Sequence, residues 1–381
     1  MRKFELIAPC HFGLESVLKR EINDLGYDVT GGTDGRVFFA GDEEAIARAN
    51  IGLRTAERVL IKIGSFKATT YDELFEGTKA LNWEDYIPKD ARFNVVKAAS
   101  IKSALFSPSD IQSIMKKAIV ERLKLKYAIS WFEETGADYP IRVTMLNDVV
   151  TVGLDTSGIS LQKRGYRKLT SKAPIAENLA AALLKLTPWN ESRVLVDPFC
   201  GCGTFPIEAA LMAANIAPGV NRDFTANDWE GLVAPSVWKD AYDEARDEIN
   251  MDVETDIKGY DIDKSIIEAA RANARLAGVE KLIHFQQQDI KDLHQPKKYG
   301  FIVTNPPYGE RLEDRAALPA LYGTLGERFR ALDDWSLFVI TSYDGTESAI
   351  GRKADKNRKI YNGMMKTYFY SFMGKKPEKR R

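Results

Sequence analysis

The sequence has too little of several ingredients to belong to some large classes of protein. Only three of its 381 residues are cysteine, at positions 10, 200 and 202, too few for a disulfide framework and in keeping with a reducing cytoplasm. No stretch approaches the roughly 18 apolar residues that span a bilayer. Glu5 follows Met1 closely and no long apolar run comes after it, so we expect no signal peptide. A membrane protein and a secreted disulfide scaffold are therefore not expected.

A net charge of either sign is also missing, since 54 Lys and Arg residues balance 54 Asp and Glu residues. This balance does not exclude a nucleic-acid partner, because binding depends on local basic patches. The stretch Lys97–Lys126 is one such patch, with seven basic residues against two acids. It is either a surface that contacts phosphates or a solvated face without a partner. The 44% hydrophobic and 28% charged residues otherwise describe an ordinary globular chain.

The length exceeds the roughly 100–200 residues of one domain, and the first 160 residues predict an α+β arrangement. Period-two and period-3.6 patterns indicate where the elements lie. Asn147-Asp148 is a favourable turn pair between two of the strands. The predicted strands are 4–8, 37–40, 59–63, 93–96, 141–146 and 149–154, and the predicted helices are 14–25, 43–49, 71–80 and 109–124.

From about residue 173 the pattern changes to alternating strands and helices, which is typical of a parallel sheet covered by helices. We therefore expect a domain boundary within 163–173. The last two strands are joined by Asn362-Gly363 and predict an antiparallel hairpin at the end of the sheet. The predicted strands are 193–197, 257–261, 282–286, 301–305, 336–341, 358–361 and 367–372.

A glycine-containing loop follows the first strand of this second part. Gly201 and Gly203 allow the backbone to approach a ligand closely, beyond the carboxyl end of the strand where open α/β sheets bind ligands. A dinucleotide fingerprint is excluded because Pro206 stands at its third glycine, and a phosphate-binding loop is excluded because no Lys follows. The loop instead favours a nucleoside without phosphates, such as S-adenosylmethionine, with Asp197 holding its amino-acid end directly or through the loop backbone.

Cys200 and Cys202 also suggest a metal site, but zinc sites usually need four ligands in paired spacing. The chain has no second Cys or His pair, and its three histidines are scattered. We therefore expect no metal.

Acidic residues follow the next two strands. Asp261 is placed to accept both hydroxyls of a ribose, and Asp263 is expected to cap the following helix. Asp289 is placed to accept from an adenine amino group, with Ile290 beside the ring. Each acid alone could be a helix cap, but two acids behind successive strands after a glycine loop favour a nucleoside site.

The most specific motif is Asn305-Pro306-Pro307-Tyr308, directly after an apolar strand. The prolines end the strand and fix the backbone. The Asn305 side-chain oxygen and the Pro306 carbonyl are predicted to accept from an amino group of a nucleobase, while Tyr308 stacks on the flipped base. This predicts in-line methyl transfer in which positioning does most of the work. Methylation of pyrimidine C5 would need a cysteine in this region, and none is present.

These motifs resemble those of class I, Rossmann-like methyltransferases that act on amino groups. The glycine loop resembles their first motif, Asp261 and Asp289 their second and third, and residues 305–308 their fourth. Residues 164–167 and 173–180 resemble the segment before the first motif in THUMP-containing RNA methyltransferases.

The N-terminal part resembles a ferredoxin-like domain followed by a THUMP domain, with Lys102–Ser107 the most recognisable stretch. The insertion at 218–229 is similar to that of the bacterial ribosomal RNA guanine-N2 methyltransferase family, specifically its large-subunit enzyme. The resemblance implies a ferredoxin-like domain at 1–65, an RNA-binding THUMP domain at 66–162 and a seven-stranded Rossmann-like α/β methyltransferase domain at 163–381.

The resemblance also implies S-adenosylmethionine as cofactor, guanine N2 as target, and ribosomal RNA or a pre-ribosomal particle as partner in the cytoplasm. Methylation of tRNA guanine or of adenine N6 stays open, as does a non-catalytic RNA-binding protein. Expected catalytic residues are Asn305, Pro306, Pro307 and Tyr308. Expected cofactor contacts are Pro174, Asp197, Phe199, Gly201, Gly203, Thr204, Asp261, Ile262, Asp289, Ile290 and Asn305. Expected phosphate contacts are Lys97, Lys102, Lys116 and Lys117.

Overall fold

The computed structural model describes residues 2–169, 174–309, 312–363 and 365–377. The N-terminal part alternates short helices with strands. The helices Glu43–Gly52 and Tyr71–Ala80 begin at side chains that satisfy free backbone N–H groups: Asp42 accepts from Ala45, and Thr70 and Glu73 form a capping box. The elements are β1 (Phe4–Pro9), α1 (Glu15–Asp24), β2 (Val29–Thr33), β3 (Arg36–Gly41), α2 (Glu43–Gly52), β4 (Leu60–Lys67), α3 (Tyr71–Ala80), β5 (Arg92–Ile101), α4 (Pro108–Tyr127), β6 (Asp138–Leu146) and β7 (Val149–Asp155).

These strands form one continuous seven-stranded sheet in the order β2-β3-β1-β4-β7-β6-β5. Strand β4 joins the two predicted domains, because it pairs with β1 on one side and β7 on the other. The predicted division between residues 65 and 66 therefore falls inside a strand that both parts share. As domain limits, 1–65, 66–162 and 163–381 stay a prediction.

The C-terminal part is a second seven-stranded sheet, in the order β10-β9-β8-β11-β12-β14-β13. Its first five strands in this order run parallel, and the last two form an antiparallel hairpin along β12. The elements are α5 (Glu177–Leu186), β8 (Leu195–Asp197), α6 (Thr204–Ala213), α7 (Pro235–Asp247), β9 (Ile257–Asp261), α8 (Lys264–Leu276), β10 (Ile283–Gln287), β11 (Phe301–Thr304), α9 (Leu312–Arg330), β12 (Ser336–Thr341), α10 (Thr346–Ile350), β13 (Lys356–Asn362) and β14 (Met365–Phe372).

The segment between α6 and β9, which contains the insertion at 218–229, packs largely against the N-terminal part, although Val220 lies in the core of the C-terminal part. Trp229 is fully buried, stacks on Tyr139 of β6 with ring centroids 4.6 Å apart, and donates its indole N–H to the Asp138 carbonyl at 2.8 Å. Phe224 and Trp238 join the same hydrophobic core. Residues distant in sequence thus complete the core beneath the first sheet.

A cluster of buried polar side chains also links the two parts. Glu208 of α6 accepts from the Tyr166 hydroxyl at 3.0 Å and lies 3.5 Å from the Arg164 guanidinium. Arg164 donates to the backbone carbonyl of Arg54. The Arg54 guanidinium in turn donates to the backbone carbonyl of Ile216 at 2.7 Å. The hydrogen bonds from Arg164 to the Arg54 carbonyl and from Arg54 to the Ile216 carbonyl therefore join the two parts through buried groups.

Most predicted elements are confirmed, including the helix Tyr71–Ala80 and the strands Ile257–Asp261 and Ser336–Thr341. The turn at 147–148 is confirmed too, with both residues at positive φ. Strand β2 was missed, and β8 begins two residues later than predicted. Part of the predicted boundary, residues 170–173, lies outside the described residues. Within the described ranges, no helix is both long and apolar enough to cross a bilayer.

Candidate active site

A cavity of about 730 Å³ opens at the carboxyl ends of the parallel strands. Asp197 ends β8, Asp261 ends β9, and Asn305 follows β11. Parallel strands place these ends at one edge of the sheet, where open α/β folds bind ligands. The lining residues are Pro174, Ile175, Asp197, Pro198, Phe199, Cys200, Gly201, Cys202, Thr204, Phe205, Asp261, Ile262, Asp263, Ile266, Gln288, Asp289, Ile290, Asn305, Pro306, Pro307, Tyr308, Gly309, Ala317, Leu318 and Leu321.

The glycine loop forms one wall of this cavity. Gly201 and Gly203 both adopt positive φ, at 52° and 90°, which favours glycine at each position. Gly203 lies between two residues that line the cavity, Cys202 and Thr204, and its cofactor contact stays a prediction. It immediately precedes α6 and packs against β10, where an added Cβ would lie 3.0 Å from the ring of Phe285. Its part is to let the loop turn into the helix.

Asp197 is buried behind the loop, with 2% of its surface exposed. One carboxylate oxygen accepts from the Thr304 hydroxyl at 2.6 Å and from the Phe199 backbone N–H at 3.1 Å. Burial raises the pKa of this carboxyl to about 7 although both hydrogen bonds oppose the rise. Asp197 thereby ties the ends of β8 and β11 to the loop and presents a poorly solvated acid to the cavity.

Asp261 and Asp289 differ in environment although both line the cavity. Asp261 accepts from the Gly201 backbone N–H at 3.1 Å, and burial raises the pKa of its carboxyl. Asp289 caps a short 3-10 helix, and its pKa is lowered by the backbone N–H and the ammonium of Lys291. Asp263 caps α8 through Ser265, as predicted. A cap and a cavity wall are thus compatible roles for Asp289.

The tetrapeptide borders the cavity opposite the glycine loop. The Asn305 side-chain oxygen is buried without a hydrogen-bond partner in the part of the chain that the structure describes. The Pro307 carbonyl accepts from the Tyr322 hydroxyl at 3.4 Å, and the Tyr308 hydroxyl accepts from the Asn362 amide at 3.2 Å. Since buried acceptors usually have a donor, and Asn305 borders the cavity, its oxygen is placed to accept from a group inside the cavity.

Sequence reasoning missed several lining residues. Ile175 and Gln288 each adjoin a residue that was predicted, but Leu318 and Leu321 of α9 carry no motif. Their only signal is helical spacing, which is the same for core residues. Ile262, which was predicted, lies 67% exposed at the rim.

Both cysteines of the loop also line the cavity. Burial raises the pKa of the Cys200 thiol well above its ordinary value, so this side chain is a poor nucleophile. Among the described residues, no three His, Cys, Asp or Glu side chains are grouped as metal ligands.

The four lysines predicted to contact phosphates lie in different environments. Lys97 on β5, Lys102 after β5 and Lys117 on α4 are exposed. Lys116 is different, because its ammonium donates to the Phe93 carbonyl and lies 3.7 Å from the centroid of the Phe93 ring. It also pairs with Glu134. These internal contacts make Lys116 a support for α4 on β5, which is a correction to its predicted role.

The residues of the cavity fit the cofactor that the sequence predicts. Two poorly solvated carboxyls, Asp197 and Asp261, suit the hydroxyls and the ammonium of an aminoacyl nucleoside. Ile262 and Ile290 offer apolar surface for a base. The cavity volume lies within the roughly 300–1,000 Å³ of ordinary small-molecule sites.

Comparison with known proteins gives three successive family matches. Residues 5–60 match the RlmL ferredoxin-like domain, 68–155 the THUMP domain, and 164–370 the RMKL-like methyltransferase domain. The ranges follow the order that the sequence predicts and confirm the fold class.

Proteins that match nearly the whole length of this chain are methyltransferases as well. It is 47% identical to the putative RNA methyltransferase YpsC of Bacillus subtilis, over 100% of this chain and 99% of that one. It is 33% identical to the ribosomal RNA large subunit methyltransferase K/L of Pseudomonas putida, covering 95% of this chain but 51% of that protein, so it spans about half of that relative. The solved structure of SMU.472, a putative methyltransferase complexed with SAH, superposes with a TM-score of 0.93 at 42% identity, covering 99% of this chain and 100% of that one.

Proposed function

The chain belongs to the family of RMKL-like methyltransferases, and on that premise we propose that it methylates N2 of guanine in ribosomal RNA. S-Adenosylmethionine is its methyl donor; the similar SMU.472 was solved with the demethylated product, SAH. The observation that carries the proposal is the buried oxygen of Asn305 beside the cavity, which has no hydrogen-bond partner among the described residues. A nucleobase amino group is a donor that fits it.

The cofactor supplies a methyl group on a positively charged sulfur, and the protein positions an amino nitrogen in line with it. Asn305 and the Pro306 carbonyl accept the two N–H groups, which turns the nitrogen lone pair away from the ring. The new C–N bond forms as the C–S bond breaks and the sulfur keeps the electron pair. The nitrogen then loses one proton to water, so no strong base is needed. Positioning supplies most of the rate enhancement.

Asp261 and Asp289 are proposed to hold the nucleoside of the cofactor, with Ile262 and Ile290 against its base. Asp197 acts on the amino-acid end mainly through the loop, because its accepting oxygen is bonded to Thr304 and Phe199. Tyr308 stacks on the target base, and Asn362 fixes its hydroxyl. Pro307 helps to hold this segment through Tyr322.

RNA as substrate and a cytoplasmic location rest on the THUMP match and on the names of the relatives. Ribosomal RNA rests on the relative from Pseudomonas putida, of which this chain covers only half, and guanine N2 rests on the resemblance of the sequence motifs and the insertion alone. Adenine N6 and tRNA are the alternatives, since the tetrapeptide binds any exocyclic amino group. A protein that binds RNA without catalysis is a further alternative.

We expect Asn305→Ala to lower kcat by about 100- to 1,000-fold, the range for removing one preorganised hydrogen bond at a reacting group. Labelled methyl transfer to large-subunit ribosomal RNA, tRNA and DNA measures the effect, and nucleoside analysis identifies the product. Asn250→Ala, at an exposed asparagine after α7, is the matched control and should behave like the parent.

N2-methylguanosine in ribosomal RNA, lost with Asn305→Ala, is the expected result. N6-methyladenosine would refute the choice of base but keep the catalytic assignment. An Asn305→Ala variant as active as the parent would refute the role of Asn305. Cofactor binding by calorimetry without transfer to any of the nucleic acids would favour the non-catalytic alternative.

A further inference from the structure

A group of aromatic and basic side chains beside the cavity has no part in the proposed reaction. We call it the flank patch: Phe12, Lys359, Tyr361, Lys366 and Tyr368. Phe12 lies in the loop between β1 and α1 and is 44% exposed. Its ring meets that of Tyr361 edge-on, with centroids 6.3 Å apart. A single exposed aromatic side chain is ordinary, but Phe12 forms a cluster with Tyr361, and clustered exposed apolar side chains often mark binding sites.

The flank patch lies next to the catalytic tetrapeptide. The first residue of β14 that pairs with β12 is Tyr368, opposite Thr341, so the tip of the β13–β14 hairpin extends past the carboxyl end of β12. Asn362 at that tip donates to the hydroxyl of Tyr308. Tyr361 therefore lies one residue along the strand from this contact, with its side chain on the opposite face of the hairpin from that of Asn362.

The N-terminal loop is held against the hairpin by its backbone. The Gly13 carbonyl accepts from the Arg358 guanidinium at 2.6 Å. Gly13 has φ of +86°, and a Cβ there would lie 3.2 Å from the Lys359 carbonyl. Leu14 is buried in the core of the C-terminal part. Phe12 is thus exposed on a fixed segment, which is the condition for an aromatic platform that binds at low entropic cost.

Cations alternate with the rings of the patch. Lys359 lies 5.1 Å from the centroid of Tyr361, and Lys366 lies 5.1 Å from that of Tyr368. Across the hairpin, Tyr361 is opposite Lys366, and Lys359 is opposite Tyr368. Neither lysine forms an ion pair with any residue that the structure describes. Rings that bind bases and cations that bind phosphates are the two components of a single-strand site.

We infer that the flank patch binds the nucleotides next to the target base as a single strand. Phe12 and Tyr361 each offer a ring face to a different unpaired base, because their planes meet at 74°, and Lys359 and Lys366 neutralise phosphates. A base that enters the cavity must leave its stack, and its neighbours gain a replacement surface here. The inference rests on the proposed function in taking RNA as the substrate, but not in the choice of base or nitrogen.

The test is a double variant, Phe12→Ala with Tyr361→Ala. We expect Kd and KM for transcribed large-subunit ribosomal RNA to rise about ten- to a hundredfold, since one stacked base contributes ~1–3 kcal/mol. The same rise is expected for a fluorescein-labelled single-stranded RNA. At saturating RNA, kcat should stay within about threefold of the parent, and cofactor affinity and Tm should not change.

Trp131→Ala is the matched control, because Trp131 is 80% exposed and is followed by Glu133 and Glu134, which repel phosphates. A variant with Phe12→Tyr and Tyr361→Phe should keep the RNA affinity of the parent, because both replacements keep a stacking face. Lys359→Ala with Lys366→Ala should reduce the slope of log Kd against log salt by about 1–2, whereas Lys239→Ala, at a lysine paired with Asp243, should not.

Parent-like RNA affinity and KM in the aromatic double variant would overturn the inference and leave the proposed function standing. A parent that binds and methylates no RNA would overturn both. A loss of kcat with unchanged KM would also contradict the inference, because it would place the rings in the reaction instead of in binding.

Discussion

Acidic residues at one edge of a sheet acquire different properties from small differences in burial. The pKa of Asp197 is raised by burial, that of Asp261 is raised for the same reason, and that of Asp289 is lowered by Lys291. The most buried of them is the one whose charge is least favourable in the folded protein. Its protonation therefore affects stability.

We expect the unliganded protein to lose stability as Asp197 ionises. Its pKa is raised from 3.8 in the unfolded chain to about 7, so the folded form binds the proton more tightly between these values. The free energy of unfolding then falls as pH rises from about 4 to about 7. Between about pH 5.5 and pH 8 the contribution of this group is about 2 kcal/mol.

Asp197→Asn should lack this part of the decline, because it keeps the oxygen that accepts from Thr304 and Phe199 but carries no charge. Urea denaturation of both proteins at the two pH values measures the difference. Equal pH dependence in parent and variant would show that Asp197 titrates normally.

The site was predictable to the extent that its residues stand in motifs after strands. Asp197, Asp261 and Asn305 were found in this way, and they meet at the cavity. The cofactor contact of Gly203 stays a prediction, because positive φ and ligand contact leave the same signature in a sequence. The environment of Lys116 was not predictable either, because the sequence does not reveal that the Phe93 carbonyl and Glu134 bind its ammonium.

Elements were predicted well where local patterns decide them. Strand β2 was missed because its sequence Val-Thr-Gly-Gly-Thr has little apolar alternation, and its pairing with β3 determines its conformation. The role of β4 as a shared strand was also not predictable, because it depends on pairing with β1 and β7, far apart in sequence.

The insertion is the element whose packing contributes most visibly to a distant core. We expect Trp229→Ala to lower the free energy of unfolding by about 3–5 kcal/mol, because it removes a fully buried ring stacked on Tyr139 and leaves a cavity. Trp131→Ala, at an exposed tryptophan, should change it by less than about 0.5 kcal/mol. Urea denaturation followed by circular dichroism measures both.

Equal losses in the two tryptophan variants would contradict the assignment of the insertion to the N-terminal core. A loss confined to Trp229→Ala would support it.

On the scale of the whole molecule, the proposed RNA-binding part and the catalytic part are held together by the buried contacts of Glu208, Tyr166, Arg164 and Arg54. Binding by one part therefore restricts where the RNA meets the other. Mutations on the N-terminal surface, far from the cavity, should therefore change RNA affinity without changing cofactor affinity.

We expect the triple replacement of Lys97, Lys102 and Lys117 by Ala to weaken binding of large-subunit ribosomal RNA. The slope of log Kd against log salt should fall by about 2–3, the value for three lost phosphate contacts. Cofactor affinity should not change, because none of the three lines the cavity. Titration of labelled RNA at several salt concentrations measures the slope, with Lys239→Ala as the control.

An unchanged slope in the triple variant would remove these lysines from the RNA-binding surface. It would leave the flank patch and the catalytic assignment unaffected.

The packing of the insertion has a consequence for biosynthesis. Phe224, Trp229 and Trp238 belong to the core beneath the first sheet, although the strands of that sheet end at Asp155. A chain that emerges N-terminus first has all those strands before it has the side chains that finish their core. Strands β8 and β11 of the second sheet lie on either side of the insertion in sequence but pair directly. The order in which this polypeptide is synthesised and the order in which its cores become complete are therefore different.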